Sequence, residues 1–110
     1  MKPETLTIKR SEWLRGEATD TKLESPTGKC CLGFLGYACG AIPGSLLDYG
    51  FPWEAPEVNW PLDPHIDVDL DPYAPFVDAN DDEEITEEER EEKLIALFDE
   101  KLEIKLNFID

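Results

Sequence analysis

Lys29-Cys30-Cys31-Leu32-Gly33-Phe34-Leu35-Gly36-Tyr37-Ala38-Cys39-Gly40 is the stretch on which the fold turns. It opens a run without charge from Cys30 to Leu47, in a chain of which 33% of residues are charged. A segment so poor in groups that water solvates well belongs to the core. At helical spacing Cys31, Phe34, Leu35 and Ala38 share one face. Gly33, Gly36 and Gly40 line another, where a neighbouring backbone can approach closely. Each glycine costs a helix about 1 kcal/mol relative to alanine, so three of them imply compensating close packing. The uncharged run is about 18 residues long and contains Pro43 and four glycines, which argues against a membrane span.

On the N-terminal side, Thr5-Leu6-Thr7-Ile8-Lys9 alternates polar and apolar residues, the period of a half-buried strand. Ser11 offers an N-cap for a short helical turn through Glu12, Trp13, Leu14 and Arg15, stopped by Gly16. Residues 17–28 are polar, with Pro26 and Gly28, and read as a surface loop. On the C-terminal side, seven prolines from Pro43 to Pro75 are spaced too closely for a helix. Leu46, Leu47, Tyr49, Phe51, Trp53, Val58, Trp60 and Leu62 lie between them, which predicts an extended segment pinned across the core by its aromatics. Asp63 to Asp71 alternates acids with Ile66, Val68 and Leu70 and reads as a strand with one acidic face. Asn80 to Glu84 reads as a polar connection. Thr86 and Glu89 form a capping box for a helix over Glu87–Glu100 that turns Leu94, Ile95 and Phe98 inward. Leu102, Ile104, Leu106 and Phe108 then alternate as a last strand, which pairs most simply with Thr5–Lys9. The expectation is one α+β domain over 1–110. Its small, mainly antiparallel sheet of N- and C-terminal strands packs on the central Cys/Gly-rich helix and the C-terminal helix, with an acidic, proline-rich extended segment at about 43–84.

The formal net charge is -16, and its distribution carries more information than its sum. Residues 1–53 hold six acids and six bases. Residues 54–92 hold sixteen acids against Arg90 alone, and residues 93–110 hold four acids and three lysines. A surface this acidic repels nucleic acid and anionic membranes, since each phosphate contact needs a Lys or Arg. Basic proteins or cations are the complementary partners, and plain solvation is the alternative use of such acidity.

Three cysteines cannot all pair. Their place in an apolar run, with no signal peptide, predicts reduced thiols in the cytoplasm. A thiol nucleophile at Cys30 or Cys31, served by His65 with Asp63 or Asp67, is weighed against the commoner role of cysteine as a small buried hydrophobe, and the latter is preferred. Zinc is disfavoured because Cys30 and Cys39 diverge on one helix. Asp67, Asp69 and Asp71 match the first positions of a calcium loop, but Pro72 stands where that loop turns on glycine. No phosphate-cradling glycine loop is present. The reading is therefore non-enzymatic, with no catalytic residue, no cofactor and no metal.

The motif Lys29-Cys30-Cys31-Leu32-Gly33-Phe34 with Ala38-Cys39-Gly40 is followed by Asn80-Asp81-Asp82, Ile85, Glu88-Glu89-Arg90, Leu97-Phe98 and Phe108-Ile109-Asp110. Together these resemble a family of small uncharacterised bacteriophage and prophage proteins with a K-x-C-C-L-G-F signature. The resemblance covers roughly residues 5–40 and 78–110. It implies a phage-type setting and an accessory role directed at the host cell, and it supplies no catalytic residue.

The leading expectation is a phage-type accessory protein whose acidic surface binds a basic, DNA-binding host protein as a DNA mimic. Its target would be a nuclease, a defence factor or a DNA-repair factor, with no direct contact to nucleic acid or membrane. Alternate residues of a strand lie about 6.6 Å apart, so Asp67, Asp69 and Asp71 would form a regular row of charge. Asp63, Asp78, Asp81, Asp82, Glu83, Glu84, Glu87, Glu88 and Glu91 would extend the acidic contact. The second expectation is an interaction or structural module that docks through its aromatic, proline-rich segment, with Trp53 and Trp60 as anchors and the acidity serving only solubility.

Overall fold

The computed structural model describes residues 3–16, 23–47, 49–64 and 71–110. Strand β1 (Thr5–Lys9) buries Leu6 and Ile8 and exposes its alternate residues. A 3-10 turn over Arg10–Glu12 follows without a side-chain cap. Ser11 thus lies inside the turn and does not cap a later one. The chain turns early because Arg10 is anchored to Glu91 and Asp110. Residues 17–22 lie outside the described part. From Leu23, which is buried, the expected loop is instead a hairpin of β2 (Glu24–Ser25) and β3 (Gly28–Lys29), antiparallel about Pro26-Thr27.

Helix α1 (Cys31–Ala38) forms where the uncharged run predicted it. It buries Cys31, Leu32, Leu35 and both internal glycines, whereas Phe34 is half-buried and Ala38 exposed. The buried arc is shifted from the expected face because the two glycines admit neighbours on their own side. A Cβ on Gly33 would overlap the carbonyl oxygen of Leu23, and one on Gly36 would stand 2.7 Å from Leu46 Cδ1 and 2.9 Å from Trp60 Cη2. Gly40 serves differently. It has φ +104° with open space around it, so it supplies the left-handed residue that ends the helix.

The expected extended segment at 43–84 is interrupted by helical structure. A 3-10 turn spans Pro52–Glu54, where the Glu54 carboxylate accepts from the Gly50 and Phe51 N–H groups at 2.9 and 3.1 Å. Helix α2 spans Ala74–Asp81 with Pro75 in its first turn, a position where proline costs a helix nothing. Beyond Pro75 the prolines stop, and Phe76, Ala79 and Asn80 bury one side of the helix. Asn80 and Asp81, expected in a connection, end this helix. The predicted acidic strand from Asp63 to Asp71 lies mostly outside the described residues.

Helix α3 (Glu87–Leu97) starts at the predicted capping box: Thr86 Oγ1 accepts from Glu89 N–H at 3.1 Å, and the Glu89 carboxylate accepts from Thr86 N–H at 3.3 Å. Its buried stripe is Arg90 and Leu94, continued by Phe98. Ile95, expected inward, is 42% exposed because it falls one residue off that i, i+4 row. The helix widens into a π-turn over Phe98–Leu102 that buries both of its end residues, and Glu103 at φ +56° reverses the chain.

Strand β4 (Lys105–Ile109) lies beside β1 with Leu6 opposite Leu106 and Ile8 opposite Phe108. The pair is parallel, which corrects the antiparallel pairing expected of the terminal strands. Alternation sets which side chains face the core and is blind to chain direction. A parallel pair needs a crossover, and the helices between the two strands supply it. The architecture is α+β, with α1 packed on β1, α3 on β4, and α2 against both α1 and α3. At its centre Tyr73 packs tilted against Phe76 and Phe76 meets Phe98 edge to face, with ring centroids 5.9 and 5.0 Å apart.

Candidate functional site

The predicted acidic residues divide into those that hold the fold together and those that face water. Arg10 grips Glu91 with a two-point fork, Nε and Nη2 each 2.8 Å from a carboxylate oxygen, and reaches Asp110 at 2.9 Å. These bonds hold the Glu91 carboxyl below its ordinary range. Glu87 is shared by Arg15 and the buried Arg90, and Arg90 also donates to the carbonyl of Asp82. Asp71 is buried and accepts from Tyr73 N–H at 3.1 Å, capping the approach to α2. Asp81 accepts from Asn80 Nδ2, and Asp82 accepts from Glu84 N–H.

Glu87 and Glu91 are therefore paired within the fold and Asp71 is buried, and of the three only Glu87 keeps an exposed side chain. The reason is the placement of cations. Arg10 and Arg15 follow β1, which brings their charges against the first turns of α3, and that proximity is invisible in linear charge counts. Asp67 and Asp69 lie outside the described residues, and with Asp71 buried the three do not form one exposed row.

The remainder is a set of exposed carboxylates on the hairpin of α2 and α3 and its connection. Asp78, Glu83, Glu84, Glu88 and Glu92 are all exposed and have no ion-pair partner among the described residues. Glu92, expected with Glu84 and Glu88 in the charge cluster at this helix end, lies four residues from Glu88, which puts both on one helical row, about 6 Å apart along the axis. Between Lys29 and Arg90 the sequence contains neither Lys nor Arg. Arg10, Arg15 and Arg90 pair with Glu91 and Glu87, whereas Lys93 shares a groove with Asp78 and Asp82, so the excess of negative charge is greatest around Glu83, Glu84, Glu88 and Glu92.

Trp53 and Trp60 come together. Both line a cleft of about 470 Å³ whose other walls include Pro56, Val58, Asp63 and Pro64. The 3-10 turn at Pro52–Glu54 places Trp53 on the wall of the cleft that Val58 and Trp60 also line. Each indole is held from outside the cleft: Trp53 stacks on Phe51 with 9° between ring planes, and Trp60 Nε1–H donates to the Ala55 carbonyl at 3.0 Å. Trp60 also packs on Tyr73, with centroids 5.7 Å apart. Asp63, on the rim, is exposed.

The thiols have a different character. Cys30, Cys31 and Cys39 are all free and buried. Burial pushes the Cys30 thiol up to about 12 and raises those of Cys31 and Cys39 as well. A thiol so poorly ionised is a weak nucleophile and a weak metal ligand. Among the described residues no group of three or more His, Cys, Asp and Glu converges on a point. His65 lies outside them. No helix of the described residues is long and apolar enough to cross a membrane.

No family model, curated protein or solved structure matches the chain. Lys29 directly precedes Cys30 here, one residue shorter than the spacing of the K-x-C-C-L-G-F signature.

Proposed function

We propose that this chain is a non-enzymatic accessory protein that binds a basic, DNA-binding protein through the carboxylates of α2 and α3 and competes with DNA for it. The observation that carries this reading is the sorting of charge. Arg10, Arg15 and Arg90 neutralise Glu91 and Glu87, while Asp78, Glu83, Glu84, Glu88 and Glu92 stay exposed, with no ion-pair partner among the described residues. A concentrated patch of one sign speeds encounter with an oppositely charged groove and rejects like-charged partners. DNA-binding grooves are built to accept such a density of negative charge.

The test is capture from a bacterial extract by the wild-type chain and by a variant carrying Asp78→Asn, Glu83→Gln, Glu84→Gln, Glu88→Gln and Glu92→Gln. The expected result is a DNA-binding protein held by wild type at low salt, released by duplex DNA and lost from the variant. Capture unaffected by the five substitutions would refute the reading.

A second reading, docking through the aromatic segment with acidity serving solubility, is favoured by the meeting of Trp53 and Trp60 in one cleft. Salt separates the two. Aromatic docking alone survives high salt, whereas carboxylate recognition weakens steeply.

A further inference from the structure

The cleft between Trp53 and Trp60 has a chemistry of its own. Its volume of about 470 Å³ falls within the range of ligand pockets, about 300–1,000 Å³. That is too large for a bare ion and sufficient for a short stretch of extended peptide. Its walls present two indoles, two prolines and the Asp63 carboxylate, and among the described residues no Lys, Arg or His lines it. Indole rings attract a cation to their faces, and guanidinium groups also stack on them. A carboxylate on the rim completes a site that favours positive charge and repels phosphate. The rings are already fixed by Phe51 and Ala55, so little ordering is required when a ligand enters.

From this juxtaposition we infer that the cleft takes an arginine side chain from an extended, proline-containing segment of the protein partner. Aromatic–proline grooves accept such segments because the polyproline conformation is open and already ordered. The inference rests on the proposed basic partner and names a second, separate point of contact with it. The carboxylates of α2 and α3 provide long-range attraction, and the cleft reads one residue.

The test uses the full chain and an end-capped peptide, Gly-Pro-Arg-Pro-Gly, titrated while the indole N–H signals of the three tryptophans are followed by 1H–15N NMR. Trp53 and Trp60 should shift in a saturable way, and Trp13, whose indole is buried elsewhere, should not. Replacing arginine by citrulline, its neutral isostere, should weaken binding about tenfold, as the loss of one good charged contact does. Asp63→Asn should weaken it severalfold with an unchanged spectrum, since that side chain is exposed and the fold does not depend on it. Equal affinity for the citrulline peptide, or no shift of either cleft tryptophan at millimolar peptide, would overturn the inference. The titration needs no natural partner and is repeatable on the five-carboxamide variant. Loss of peptide binding with capture intact would fail the cleft alone, and the reverse would fail the α2–α3 reading alone.

Discussion

Asn80 accepts the indole N–H of Trp13 at 2.8 Å on the same side-chain oxygen that accepts the backbone N–H of Cys31 at 3.1 Å. Its amide nitrogen donates to the Leu14 carbonyl at 3.0 Å. One side chain at the end of α2 thus ties the turn after β1 to the start of α1, and Asn80 is only 1% exposed. Cys30 offers no side-chain bond to the first turn of α1, so Asn80 satisfies from a distance a donor that a local cap normally would.

Asn80→Leu keeps the branched shape and removes these three bonds together with the one to Asp81. Each orphaned buried group costs about 1–3 kcal/mol, so the substitution should lower stability by about 3 kcal/mol or more in urea unfolding. A loss below about 0.5 kcal/mol would show that Asn80 is not the tie described.

The glycines of α1 predict an ordered pair of effects. Gly33→Ala gains up to about 1 kcal/mol of helix propensity but drives a methyl into the Leu23 carbonyl, with Lys29 Cβ only 3.0 Å away. Overpacking typically costs about 1–3 kcal/mol and occasionally more, and an overlap with a backbone oxygen that cannot step aside lies beyond that range, which outweighs the gain in propensity. Gly40→Ala meets open space and only the strain of φ +104°, roughly 1–3 kcal/mol. Thermal melts should place Gly33→Ala below Gly40→Ala, and the opposite order would contradict the close approach at Gly33.

How much of this was legible in the sequence depends on which physical signal each element carries. The strand at Thr5–Lys9, the helix opening at Cys31 and the capping box at Thr86 are local patterns, and local patterns survive folding. Strand direction, the helix at Ala74–Asp81 and the burial of Arg90 are not local. Alternation says nothing of direction, a count of prolines hides the point where they stop, and a buried arginine is paid for by partners far away in the chain. The acidic site was half legible for the same reason. Exposure of Glu88 and Asp78 follows from composition, whereas the pairing of Glu91 with Arg10 needed the parallel strands to bring them together.

That pairing has a pH signature. The Glu91 carboxyl is held below its ordinary value by Arg10, so the folded state binds this proton less readily than the unfolded chain. The stability it contributes is present above the unfolded value near 4.5 and is lost as pH falls through the lower folded value. Glu91→Gln should therefore reduce stability at neutral pH and flatten the decline below about pH 4.5. Stability profiles of wild type and variant that stay parallel through the acid range would contradict the ion pair.

The thiols should be silent while the chain is folded. At pH 8 a disulfide reagent such as Ellman's should react slowly with native protein and rapidly with all three cysteines in denaturant, because burial raises each thiol. Cys31→Ser should lower stability by about 1–3 kcal/mol by burying a hydroxyl among apolar neighbours. Fast modification of native Cys31 would mark it as reactive and reopen thiol chemistry.

The central claim is that unpaired carboxylates on α2 and α3 recognise a basic protein by charge. It is tested most directly by measuring Kd for the captured partner across a range of salt, with wild type and with the five-carboxamide variant. The account predicts a steep loss of affinity with salt for wild type, competition by duplex DNA, and a much weaker, nearly salt-independent affinity for the variant. A salt slope equal in the two proteins, or binding that duplex DNA leaves untouched, would contradict it.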